Sequence, residues 1–75
     1  MPKAFKILAA GLKASAKESI DSDVKEIAKL TGKHENTINL YFKGDVRDFN
    51  TGSVILTELN RLIKDRENFA MELVA

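Results

Sequence analysis

The chain has no cysteine, a single histidine and a single proline among its 75 residues. Without cysteine there is no disulfide framework and no thiolate metal site, which fits a reducing compartment. A zinc site needs about four nitrogen, sulfur or oxygen ligands, and His34 alone argues against one. Long apolar runs are also lacking. The first segment, MPKAFKILAAGLKASAK, is interrupted by lysine, and its apolar part is short against the ~20 residues of a membrane span. It shows no signal-peptide pattern either. A soluble, cytoplasmic protein with no membrane partner is therefore expected. The glycines Gly11, Gly32, Gly44 and Gly52 are scattered and build no phosphate-cradling loop. There is no nucleophile motif, and His34 has no catalytic partner at a meaningful spacing. No enzyme class is supported, no cofactor is implied, and nothing suggests a small-molecule effector. Strand-like alternation, internal repeats and low-complexity segments are all missing.

What is present is a small, charged, helical chain. Its length allows one domain, spanning 1–75. A core of this size rarely supplies more than roughly 3–5 kcal/mol of net stability, so help from a dimer partner is unsurprising. The formal net charge is only +1, but it is unevenly spread. Residues 1–17 carry Lys3, Lys6, Lys13 and Lys17 and no acid. Residues 18–31 hold Glu18, Asp21, Asp23 and Glu26 against Lys25 and Lys29. Such polarity can orient a protein on a polyanion even when the total is small.

The spacing of apolar residues predicts helices throughout. Over 3–19, Phe5, Leu8, Ala9, Leu12 and Ala16 share one face, and the four lysines fall within roughly 80° on its flank. That basic stripe is either a solvated face or a set of phosphate contacts. Residues 21–23, DSD, read as a cap, with Asp23 and Glu26 in a capping-box arrangement. A second helix then runs from Val24 to about Thr31, with Val24, Ile27, Ala28 and Leu30 as its apolar residues, and Gly32 ends it. A third is expected from Glu35 to Lys43, with Gly44 as a second stop. The segment 45–50 reads as a loop. A fourth helix begins near Thr51 to Ser53 and carries Ile55, Leu59, Leu62 and Ile63. Arg66 interrupts that stripe before Phe69, Ala70 and Leu73, so residues 66–75 are a continuation or a short fifth helix. The fold class predicted is all-α, a bundle of four to five helices.

Two helices joined by a glycine-containing turn of three or four residues form a helix-turn-helix unit. On the third helix, Ile38, Tyr41 and Phe42 cluster on one face, and Asn36, Asn39 and Lys43 lie opposite, flanked by Glu35 and Leu40. Asparagine can bond adenine bidentately, glutamate can accept from the cytosine amino group, and lysine can pair with guanine or phosphate. The stretch VKEIAKLTGKHENTINLYFKG resembles the helix-turn-helix of the phage lambda repressor-like superfamily. The shared pattern is Ile27 and Ala28 in the second helix, Gly32 at the turn, Ile38 inside the third helix, and Tyr41, Phe42, Lys43 and Gly44 closing it without a gap. The likeness covers about 22 residues, and lac repressor-type headpieces share the same core pattern.

The resemblance implies DNA reading by the third helix in the major groove. It carries base contacts onto Glu35, Asn36, Thr37, Asn39 and Leu40, and phosphate contacts onto Lys25, Lys33, His34, Lys43 and Arg47. Departures are visible. Val24 cannot donate at the start of the second helix. His34 replaces a small or hydroxyl cap and is either an indifferent cap or a phosphate contact. Leu40 can touch a thymine methyl or mark a protein-binding surface. Glu35 adds negative charge facing phosphates. The function implied is sequence-specific binding of double-stranded DNA by a transcriptional repressor of phage or mobile-element type. The alternative is a protein-interaction module on the same core, such as an antitoxin or accessory regulator component, because one fold serves many functions. Relatives bind as two-fold dimers, so a homodimer is expected, with Phe69, Met71, Leu73 and Val74 as the candidate interface. In the competing arrangement Phe69 and Leu73 fold back onto the first helix.

Overall fold

The computed structural model describes residues 2–75 as four α-helices: α1 Lys3–Ala16, α2 Asp21–Thr31, α3 Glu35–Phe42 and α4 Phe49–Val74. No strand occurs among the described residues. The all-α architecture is as expected, with four helices and no fifth, because α4 runs through Arg66 without a break.

Each boundary has a local cause. Pro2 precedes α1, and its carbonyl accepts from the Phe5 and Lys6 amides. The helix stops at Ala16, short of the expected residue 19, where the Ser19 hydroxyl donates to the Ala16 carbonyl at 2.7 Å. Helix α2 begins at Asp21, three residues before the expected Val24. The reason is Asp23. It sits inside the first turn and its Oδ2 accepts from the Ile20 amide at 3.0 Å, so it caps backwards rather than pairing forwards with Glu26. Gly32 closes α2 at φ 70° and Gly44 follows α3 at φ 90°, left-handed values that glycine adopts without a Cβ penalty. After α3, the Gly44 amide donates to the Tyr41 carbonyl at 2.9 Å and the Asp45 amide to the Leu40 carbonyl at 3.0 Å, a Schellman closure.

The start of α4 departs from expectation. It begins at Phe49, inside the segment read as loop, and its cap is Asp48 rather than a residue of 51–53. Asp48 Oδ2 accepts from both the Thr51 amide at 2.8 Å and the Thr51 hydroxyl at 2.7 Å. A carboxylate accepts more strongly than a hydroxyl, so Thr51 donates instead of capping. Its side-chain and backbone hydrogen bonds hold Asp48 below the ordinary carboxylate pKa. The cap is therefore intact above that range and is lost as pH falls through the lowered value.

The core joins all four helices. Leu8 and Leu12 from α1, Ile27 from α2, Ile38, Tyr41 and Phe42 from α3, and Ile55, Leu59 and Ile63 from α4 are buried together. Val46, in the loop before α4, joins them. Below it the Tyr41 hydroxyl accepts from the Asp48 amide at 3.0 Å, which ties the end of α3 to the start of α4. Gly52 lets α4 cross closely, since a Cβ there would meet Leu8 Cδ2 at 2.9 Å. Phe5 and Phe49 pack with their rings tilted by 53° and centroids 5.5 Å apart. Leu30, expected among the apolar residues of α2, is exposed.

Among the described residues one charged side chain is buried: Asp23, 2% exposed. Arg66 of α4 grips both its oxygens, Nη1 to Oδ1 at 3.0 Å and Nη2 to Oδ2 at 3.1 Å, and also donates to the Glu18 carbonyl at 3.0 Å. The arginine that interrupts the apolar stripe therefore has a specific partner. Beyond it every residue of α4 is exposed. The helix extends past the bundle and gives the molecule extents of 45 × 24 × 16 Å. Phe69 is 61% and Leu73 70% exposed, so neither folds back onto α1. No described helix is long and apolar enough to cross a membrane.

Candidate nucleic-acid interface

The turn between α2 and α3 is Gly32, Lys33 and His34. His34 is the N-cap of α3, and its Nδ1 accepts from the Asn36 amide at 3.1 Å. That bond gives the ring a structural task and leaves only Nε2 for any phosphate. Burying Ile38, Tyr41 and Phe42 fixes the rotation of α3, so that Asn36, Leu40 and Lys43 emerge exposed on the other side and Glu35 and Asn39 are exposed on the flank toward α2. Thr37 is half-buried, at the edge of that surface. Leu40 is 43% exposed and stands among the polar residues.

Asp21, Val24 and Lys25 from α2 line one cleft with Glu35 and Asn39 from α3. The structure thus brings together Lys25, Glu35 and Asn39, three residues the sequence singled out separately. It adds Asp21, which the sequence showed only as one of the acids of 18–31 and as part of a cap. No sequence signal placed it there, because its position depends on α2 starting at residue 21. The cleft offers two carboxylates as acceptors, one ammonium as donor and one amide that does both. It suits hydrogen-bonding groups with exposed N–H donors, such as the amino edges of bases.

The other cations are dispersed. Lys33 lies across the turn, in a groove with Thr31, Asn50, Thr51 and Val54, and contributes to the lowered pKa of Asp48. Arg47 is exposed but pairs with Asp45 at 3.3 Å, so its charge is partly offset. Lys43 is exposed at the end of α3. Beside it, the stem of Lys13 passes over Gly44, with Cδ 2.8 Å from where a Cβ would stand. The basic flank of α1 therefore meets the end of α3 at this point. If Lys43 is a phosphate contact, Lys43→Ala should weaken binding to all duplexes about equally and lower the slope of log affinity against log salt by about one. Titrations at several salt concentrations check this, and an unchanged slope removes Lys43 from the set.

The residues expected at a dimer interface lie elsewhere. At about 100° per residue, Phe69, Ala70, Leu73 and Val74 continue the line of the buried Ile55, Leu59 and Ile63 within roughly 140°. Met71 falls outside that arc. Among the described residues no group of His, Cys, Asp and Glu could hold a metal ion. No known protein family, curated protein or solved structure matches the chain.

Proposed function

We propose that this protein binds double-stranded DNA in a sequence-specific way, through a helix-turn-helix formed by α2, the Gly32–His34 turn and α3. The reading rests chiefly on one observation: α3 buries its whole apolar face and presents Asn36, Asn39 and Lys43 beside the Lys25–Glu35 cleft. The resemblance of residues 24–44 to lambda repressor-like proteins supports it. Asn36 and Asn39 read adenine edges, Glu35 accepts from a cytosine amino group, and Leu40 rests on a thymine methyl. Lys25 and Lys43 hold phosphates and fix the register. The biological role is that of a cytoplasmic repressor of phage or mobile-element type, acting by operator occlusion.

A helix of this length contacts few base pairs, so the reading includes a two-fold dimer on two half-sites. Phe69, Leu73 and Val74 supply its interface. Sedimentation of the intact chain at high micromolar concentration without DNA should show a dimer, and deletion of 68–75 should give a helical monomer that binds a full site much more weakly. A monomer in the first measurement contradicts this interface. Selection of bound sequences from a random duplex library tests the function as a whole. The expected result is a palindromic motif, and no enrichment would overturn it.

A second reading is favoured by Leu40 standing exposed on α3, the helix that also carries Glu35 into a cleft with the Asp21 carboxylate. In it, the same surface holds a basic, partly apolar protein segment, as in an antitoxin or accessory regulator. Salt separates the two, because DNA binding that neutralises several phosphates weakens steeply as salt rises.

A further inference from the structure

The only buried charge in the described molecule belongs to a four-bond junction. Asp23 Oδ2 holds the Ile20 amide, both Asp23 oxygens hold the Arg66 fork, and the same guanidinium holds the Glu18 carbonyl. Three segments meet there: the turn after α1, the first turn of α2, and α4 at the point where it leaves the bundle. Only the carboxylate is buried, the Arg66 side chain being 37% exposed. An ion pair of this kind is a poor way to add stability, because solvent screens it and an apolar pair of similar volume often does as well or better. What it adds is direction. An arginine fork donates to both oxygens of a carboxylate only in a narrow geometry, and a lysine cannot reproduce it.

That geometry fixes the part of α2 that matters to the candidate interface. Asp21, Val24 and Lys25 flank Asp23 in the same turn and form one wall of the cleft whose other wall is Glu35 and Asn39. The core holds α3 by three buried residues, whereas α2 buries one apolar residue, Ile27, four positions further on. In its first turn only Val24 packs against that core, and it is half-buried rather than enclosed. We propose that Arg66 is a positioning residue for DNA recognition: through Asp23 it sets the first turn of α2, and so the separation of Lys25 from Glu35 and Asn39. The role is indirect, since the hydrogen bonds of Arg66 go to Asp23 and the Glu18 carbonyl and to none of the cleft residues. It rests on the DNA-binding reading for its consequence and on the junction alone for its geometry.

Two variants test it. Arg66→Met combined with Asp23→Leu removes the junction without leaving a charge buried. Arg66→Lys keeps the charge and loses the fork. Two measurements on the full chain are needed. In amide hydrogen exchange, Arg66→Lys, in which Asp23 can still accept from the Ile20 amide, should lose protection at the bonded amides within 20–25 by about tenfold or more, and the double variant at least as much, while the amides of 55–63 stay protected. In binding, discrimination between the library-selected duplex and a scrambled duplex should fall about tenfold, with affinity for the scrambled duplex at low salt unchanged. A purely structural role would lower both affinities together or neither. Unchanged protection at 20–25 overturns the junction's positioning role whatever the binding result. Unchanged discrimination in a variant with lost protection overturns its link to recognition. If the parent chain itself prefers no duplex, the DNA reading fails, and the exchange result still decides whether Arg66 holds α2.

Discussion

Replacing Asn36 and Asn39 together with alanine should leave the chain folded and lower its affinity for a selected duplex by about 30-fold or more. Each well-made contact to a base edge is worth about 1–3 kcal/mol of discrimination, and the two sites are one helical turn apart on the same exposed face. Neither residue belongs to the core. Circular dichroism and the melting temperature should therefore match the parent closely, since surface substitutions away from caps and charges usually act within about 0.5 kcal/mol. The measurement is a pair of titrations, one against the selected duplex and one against a scrambled duplex of equal length. Selective loss on the first is the expected outcome. Equal affinity of parent and variant for the selected duplex would remove α3 from the reading surface.

The opposite face of the same helix should behave in the opposite way. Ile38 is fully buried between the helices. Ile38→Ala removes three buried carbons and leaves a cavity, at a cost of about 2–5 kcal/mol. A core this small supplies roughly 3–5 kcal/mol in all. The variant should be largely unfolded at room temperature, with DNA binding lost because the fold is lost. Urea titration followed by far-ultraviolet circular dichroism reads this directly. A variant that melts with the parent would mean that α3 is not anchored by Ile38, and the rotation that exposes Asn36 and Asn39 would lose its support.

Much of the fold is legible in the sequence because the signals are local. The 3–4 residue spacing in α1 and the glycines at 32 and 44 each act within a turn, and their positions follow directly. The spacing on α3 is equally direct, since three apolar residues on one side of a short helix decide which side faces out. Other features depended on partners far along the chain. Asp23 looked like a forward-facing cap, and its burial requires Arg66, 43 residues away. Arg66 in turn looked like a break in an apolar stripe. Val46 sat in a polar segment with aspartate and arginine around it, and only the close approach of α3 to α4 buries it. The start of α4 was expected at Thr51 to Ser53, but Asp48, in the segment read as loop, is the stronger acceptor and caps the helix earlier. The cleft inherits the same limit: Lys25, Glu35 and Asn39 were recognisable as types, but their meeting with Asp21 depends on where α2 begins.

The measurement that bears most directly on the central claim is amide chemical-shift mapping of the intact chain as the library-selected duplex is added. The account predicts that the largest changes fall on Lys25 and on residues 33–43, that they weaken as salt is raised, and that the amides of 55–63 move little. Changes confined to α1 or to the exposed end of α4, or changes at Leu40 and Glu35 that ignore salt, would contradict the reading of α3 as a DNA-recognition helix.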